Sequence, residues 1–153
     1  MELLDGNNQP RESNVTVSFL NNMTGNAVYE FVHYLDSRGR PDSVQLDPVL
    51  SYDIVVNTVP QVIRRNVNIT NGVHNVIRIP AAQGNLRVDQ QGRNAPFPVV
   101  VRRKGQAAIL NTQLAKESFR YLAGDYEIET LTLPRRKFDV TIEPGDTKAI
   151  TLP

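Results

Sequence analysis

Residues 51–80 read SYDIVVNTVPQVIRRNVNITNGVHNVIRIP, and residues 125–153 read DYEIETLTLPRRKFDVTIEPGDTKAITLP. With one gap opened after the first proline, Tyr52 falls on Tyr126, Ile54 on Ile128, Thr58 on Thr132 and Pro60 on Pro134. Past the gap, Val67 meets Val140, Ile69 meets Ile142, Gly72 meets Gly145, Ile77 meets Ile150 and Pro80 meets Pro153. A register kept through three successive strand-like segments is an internal repeat, which predicts two copies of one structural unit. Between these segments lie short turns and no sustained helical period, so the unit is predicted to be an antiparallel β-sandwich. The chain therefore reads as all-β, with two tandem antiparallel sandwich modules.

The alternation Tyr52, Ile54, Val56 marks one face of a strand, and Tyr126, Ile128, Thr130 marks its counterpart. Asp125, Glu127 and Glu129 occupy the other face of the second strand, which makes the tyrosine-bearing face the buried one. The first halves of the copies match only in pattern, residues 15–20 with 85–89 and residues 28–35 with 97–103. Turn signals recur at Thr24-Gly25-Asn26, Arg38-Gly39, Asn71-Gly72, Lys104-Gly105 and Pro144-Gly145. Asn71-Gly72 suits a two-residue hairpin and Pro144-Gly145 a type II turn, so a hairpin is expected at that place in both copies. Residues 113–122 are the one competitor for helix, and a helix of more than one turn is not expected there. Residues 1–12 are polar and turn-rich, and are expected to be a disordered lead-in. The modules are then residues 13–80 and 81–153. The junction 81–84 is too short for a free linker, so an interface between the modules is expected.

Composition narrows the chemistry. Seventeen Lys and Arg stand against sixteen Asp and Glu in 153 residues, a formal charge of +1. Such a balance supplies no bulk attraction to nucleic acid or to an anionic membrane, so neither partner is expected. With no cysteine, disulfides, thiolate catalysis and Cys-based zinc sites are excluded. No run of about 18 apolar residues predicts a membrane-spanning helix. The first residues carry acid where an export signal needs a basic start, so no export signal is expected, which leaves either a cytoplasmic protein or a piece of a longer one.

His33 and His74 have no metal-ligand spacing between them, and each is expected at the surface or partly satisfied in the core. Asp125, Glu127 and Glu129 stand about 6.5 to 7 Å apart along a strand, too spread to enclose one ion, so they are expected to be a solvated face paired with basic neighbouring strands. The runs Arg64-Arg65 and Arg135-Arg136-Lys137 follow Pro60 and Pro134, and are expected to form a cationic corner in each copy. Arg102-Arg103-Lys104 is a third basic run. Three sequons, at Asn14, Asn22 and Asn68, would matter only in a secreted eukaryotic protein. No nucleophile elbow, phosphate loop or dinucleotide fingerprint is present, so the chain is not expected to be an enzyme, and no catalytic, cofactor-binding or metal residue is assigned.

The stretches YDIVVNTVPQVIRRNVNITNGVHNVIRIPAAQGNLRV, VVVRRKGQAAILNTQ and YLAGDYEIETLTLPRRKFDVTIEPGDTKAITLP resemble the C-terminal region of bacterial von Willebrand factor A domain proteins. There, tandem sandwich modules similar to carboxypeptidase-regulatory or prealbumin-like domains follow the von Willebrand module. The likeness spans residues 13–153. It implies a non-catalytic structural or protein-interaction module of a larger bacterial envelope or surface protein, located outside the cytoplasm. The partner would be a neighbouring domain, another envelope protein or an acidic glycan. The family's metal-dependent adhesion loop, Asp-x-Ser-x-Ser, is absent, since Asp36-Ser37-Arg38 and Asp42-Ser43-Val44 both lack the second serine. A carbohydrate-binding module is the alternative, with Tyr29, Tyr34, Phe97, Phe119 and Tyr121 as the rings that could stack on sugars.

Overall fold

A computed structural model of the chain describes residues 1–92 and 95–152; Pro153, matched above to Pro80, lies outside the described residues. The strands, in chain order, are β1 (Glu2–Leu4), β2 (Val15–Asn21), β3 (Ala27–His33), β4 (Ser51–Val56), β5 (Val62–Asn68), β6 (Arg78–Pro80) and β7 (Gln83–Gln90). They continue with β8 (Pro98–Arg103), β9 (Ile109–Leu114), β10 (Ser118–Leu122), β11 (Gly124–Thr130), β12 (Lys137–Ile142) and β13 (Thr147–Leu152). No helix occurs among the described residues, and residues 113–122 hold the end of β9, a turn and β10. The protein is all-β, as its alternation predicts. It divides into two compact units, Met1–Ala82 and Gln83–Pro153, two residues beyond the expected boundary.

In the first unit β2 lies between β3 and β4, and β5 pairs with β4, all antiparallel. Alternation turns Val17 and Phe19 of β2 inward beside Tyr52, Ile54 and Val56 of β4. Leu3 of β1 and Ile79 of β6 complete that core from the smaller sheet, so two sheets sandwich one apolar layer. In the second unit the larger sheet runs β12-β11-β8-β9 and the smaller β10-β7-β13. Leu86, Val88, Val99, Val101, Tyr121, Tyr126 and Ile128 are fully buried there.

The large sheets share one strand order, β3-β2-β4-β5 against β9-β8-β11-β12. In the small sheets the unit's first strand pairs with its last, β1 with β6 and β7 with β13, and both pairings are parallel. This departs from purely antiparallel sheets. Strands at opposite ends of a unit are joined through the whole sandwich, and such a long crossover permits parallel pairing where a tight turn cannot.

Residues 1–12 are not a disordered lead-in. Leu3 is fully buried, and Asp5 Oδ1 accepts hydrogen bonds from the backbone N–H of Asn7 and Gln9, which folds the following turn. The Glu12 N–H then donates to the Leu3 carbonyl. Missing β1 displaces the matching of the first halves by one strand. By strand order β7 stands with β1, β8 with β2 and β9 with β3, so residues 85–89 answer to β1 rather than to residues 15–20.

Neither Asn71-Gly72 nor Pro144-Gly145 closes a hairpin. Gly72 and Gly145 do have positive φ, 74° and 75°, but the turns carry the chain from one sheet to the other. A turn residue reports local dihedrals and not which strands pair. Hairpins instead join β2 to β3 at Gly25 and β8 to β9 at Gly105, and also β4 to β5 and β11 to β12.

The one-residue gap in the repeat also moves. β5 carries a bulge opposite Asp53, where Asn66 takes φ 57°. Asp53 Oδ1 accepts the Asn66 N–H at 3.0 Å and Oδ2 accepts Arg65 at 2.8 Å, so one carboxylate holds the extra residue. The gap therefore belongs at residues 65–66 and not after the proline.

Truncating Leu3 to alanine should cost about 2 to 5 kcal/mol, the usual range for a fully buried leucine. Urea denaturation of the full chain, followed by amide exchange in each unit, checks this: the loss should fall on the first unit.

Candidate functional site

Moving the gap separates the basic runs. Arg64 pairs across the ladder with Ile54, and Phe138 with Ile128, so Arg64 has a phenylalanine and not an arginine at its counterpart position. Arg64 and Arg65 lie within β5, Lys137 opens β12, and Arg135 and Arg136 precede it. The two basic runs thus do not occupy the equivalent places expected from sequence.

Most of these charges are also engaged. Arg64 donates to the Arg78 carbonyl at 2.7 Å, and Arg65 pairs with Asp53. Lys137 Nζ lies 2.9 Å from Glu127, and Arg135 lies 3.7 Å from Glu129. The Arg136 carbonyl accepts the Thr130 N–H. Exposed pairs of this kind contribute little stability, but they reduce the local positive potential.

The acidic row on β11 pairs with basic neighbours as expected. Arg102 of β8 donates to Glu129 at 2.6 Å, and that hydrogen bond holds the Glu129 carboxyl below the usual carboxylate range. Glu129 is buried by these partners and is not solvated. Asp125 accepts the Thr141 hydroxyl at 2.6 Å. Among the described residues no three His, Asp or Glu side chains gather as a metal site would require.

His33 is fully buried against the edge of Phe31, with neither ring nitrogen hydrogen-bonded, whereas a surface or partly satisfied histidine was expected. Burial, seconded by the Met1 ammonium and opposed by Asp42, lowers its pKa. Of the candidate stacking rings, Phe97 and Tyr121 are core residues, and Tyr29, Tyr34 and Phe119 remain exposed. The Tyr121 hydroxyl donates to Gln113 Oε1 at 2.6 Å and accepts from Asn111 at 2.9 Å. Desolvation raises its pKa to about 12.

Two surface features were not foreseen. The first is an edge: β3 ends the large sheet of the first unit and exposes Val28 and Val32, with Tyr34 just beyond. In the second unit the edge strand β9 likewise exposes Ile109 and Leu114. The alternation of β3 was readable, but its edge position was not, because strand order is set by pairing far along the chain. The second feature is a groove of about 450 Å³ in the first unit, lined by Met1, Phe19, Leu46, Ile69 and Ile77 among others.

No family model and no curated protein matches the chain. Among solved structures it is similar to the Bacillus anthracis TIE protein, with 15% identity and a TM-score of 0.45, over 99% of this chain and 32% of that one. It is also similar to a leucine-rich repeat protein from Bacteroides thetaiotaomicron, with 11% identity and a TM-score of 0.34, over 99% of this chain and 25% of that one. The chain thus spans a third or less of either protein.

The two units should respond to opposite ends of the pH scale. His33 is neutral in the folded state with its pKa depressed, so its contribution is present above the ordinary value of 6.5 and is lost as pH falls through the folded value. His33→Phe should flatten the acid-side decline of the first unit in thermal melts. Tyr121 has a raised pKa, so its contribution is intact below 10.0 and lost as pH rises toward about 12. Phenolate absorbance and melting of the second unit should change together over that interval.

Proposed function

We propose that this chain is a non-catalytic, protein-interacting structural segment of a larger surface protein outside the cytoplasm. The observation that carries the reading is the edge strand β3, seven residues long and exposing Val28 and Val32 along its outward face. Edge strands with open backbone groups are templates for pairing, and they are usually blunted by lysine, proline or a bulge. β3 carries one such irregularity, at Val28, where its pairing with β2 shifts between Phe19 and Leu20. From Tyr29 to His33 the ladder is regular, and the exposed Glu30 accepts the Ser18 hydroxyl at 2.6 Å, which draws its charge toward β2 and away from the open edge. Alternate apolar side chains beside open backbone groups suit strand addition by a partner.

The resemblance to the C-terminal region of von Willebrand factor A domain proteins supports the same reading, as does the shared strand order of the two large sheets, which fits a duplicated module. Arg64, Arg65, Arg135, Arg136 and Lys137 would then affect the rate of association more than its strength, since carboxylates already offset the charge of Arg65, Arg135 and Lys137. A carbohydrate-binding reading would rest on Tyr29, Tyr34 and Phe119 alone.

The test compares co-sedimentation of the intact chain with isolated bacterial envelopes. Val28→Lys combined with Val32→Lys should weaken retention about tenfold, equivalent to about 1.4 kcal/mol, with the melting temperature unchanged. Replacing the five cationic residues by glutamine should alter mainly the salt dependence. Retention equal to the parent chain in the valine variant would remove β3 from the interaction.

A further inference from the structure

A second groove of the first unit, of about 330 Å³, opens along the edge strand β5. Arg64, Arg65, Asn66 and Asn68 line it from β5, and Asn75 and Ile77 line it from the segment before β6. Side chains hold both walls. Asn75 clasps Thr70 through both ends of its amide, accepting the Thr70 N–H at 3.0 Å and donating to the Thr70 carbonyl at 2.9 Å. Opposite, Asp53 grips the bulge at Arg65 and Asn66. A groove fixed on both sides is largely formed before a ligand arrives, and about 330 Å³ lies at the lower end of small-molecule sites.

Two departures from the repeat meet there. The first is the bulge itself, which the β11–β12 ladder lacks; bulges beside binding sites re-aim side chains. The second is Arg64. Facing the core residue Ile54 across the ladder, it leaves the sheet on the core side. Its Nη1 donates to the Arg78 carbonyl of β6 at 2.7 Å, bridging the two sheets at their open edge. Phe138 holds that place in the second unit, partly buried opposite Ile128. A phenyl ring closes such an edge by burial, and a guanidinium gives up that apolar contact.

The charge of Arg64 is uncompensated. Of the two cations lining the groove, Arg65 is paired with Asp53, whereas Arg64 has no carboxylate partner among the described residues. No Asp or Glu is among the described residues that line it. With Nη1 committed to Arg78, the Nε–Nη2 edge is left, and the parallel N–H groups of that edge match a planar carboxylate. One free cation suits a single negative charge better than the near-double charge of a phosphate monoester. Asn66 and Asn68 also offer donors: their side-chain oxygens are occupied by Asn22 and Ser51, which leaves their amide N–H groups to meet hydroxyl oxygens.

We propose that this groove binds a uronic acid residue of a glycan, its carboxylate along the Nε–Nη2 edge of Arg64 and its ring hydroxyls beside Asn66 and Asn68. A pyranose ring bearing one carboxylate has the charge and the hydroxyls that these donors would meet. The site goes beyond the strand-pairing reading, because it uses neither β3 nor its valines, and it draws on none of the exposed rings that a stacking site would need.

The test titrates the intact chain with glucuronate and follows the Arg64 Nε–H and the amides of residues 64–68 and 75–77 by NMR. Saturable shifts are expected there, and glucose, acetate and inorganic phosphate should each bind at least about tenfold more weakly. Arg64→Phe, which installs the residue of the second unit, should abolish the shifts. Arg64→Lys keeps the charge without the fork and should weaken binding about tenfold, which serves equally if the phenylalanine variant does not fold. The Val28→Lys, Val32→Lys pair should bind glucuronate like the parent chain, whatever its envelope retention, which keeps failure of this site apart from failure of β3. Absence of a saturable shift at residues 64–68 would overturn the proposal. So would equal binding of acetate or phosphate, unchanged binding in Arg64→Lys, or shifts confined to Tyr29 and Tyr34.

Discussion

A tyrosine ring can be sealed in an apolar core only if its hydroxyl finds an acceptor, and this requirement organises both units. The Tyr52 hydroxyl donates to the Asp47 carbonyl at 2.9 Å, and the Tyr126 hydroxyl to the Leu122 carbonyl. Each bond ties the central strand, β4 or β11, to the segment that leads into it. A tyrosine whose hydroxyl returns to backbone a few residues upstream is a recurring device in β-sandwiches. Burial raises the pKa of both phenols, so both remain donors across the neutral range. The rings also order their surroundings: Phe19 meets Tyr52 edge-on at 6.0 Å, and Tyr121 meets Tyr126 at 5.6 Å.

The units use that tether differently. In the second, the tethered segment is β10, whose Tyr121 brings its own polar tip into the core. That tip is satisfied by Gln113 and Asn111, while the Gln113 amide donates in turn to the Leu86 carbonyl. Such a network rigidifies a core because every member has a partner. In the first unit the tethered segment contains Pro48 and pairs with no strand, which leaves the groove open beside it. His33 adds a second irregularity, a buried imidazole with no hydrogen bond, which desolvation keeps neutral.

What could be read from sequence was whatever repeats locally. Tyr52, Ile54 and Val56 alternate long enough to declare a strand and its buried face, and Tyr126 and Ile128 do the same. Leu3-Leu4 could not be read, because two apolar residues among polar neighbours carry no period and their burial comes from pairing with residues 79 and 80. The bulge at Asn66 was hidden for a related reason: Asp53, thirteen positions away, holds it. The cationic residues were visible as a cluster in sequence, but their carboxylate partners are on neighbouring strands, so the degree of neutralisation was not. Exposure of Phe119 and burial of Phe97 likewise depend on which sheet covers which ring.

The parallel pairing of first and last strands has a mechanical consequence. Tension drawn along the polypeptide enters a unit at the start of its first strand and leaves at the end of its last. Because those strands run side by side in the same direction, the load acts along their length, and the rungs of the ladder resist together instead of opening in sequence. With six paired positions in β7–β13 against three in β1–β6, the second unit is the stronger link under stretch. The first would yield sooner.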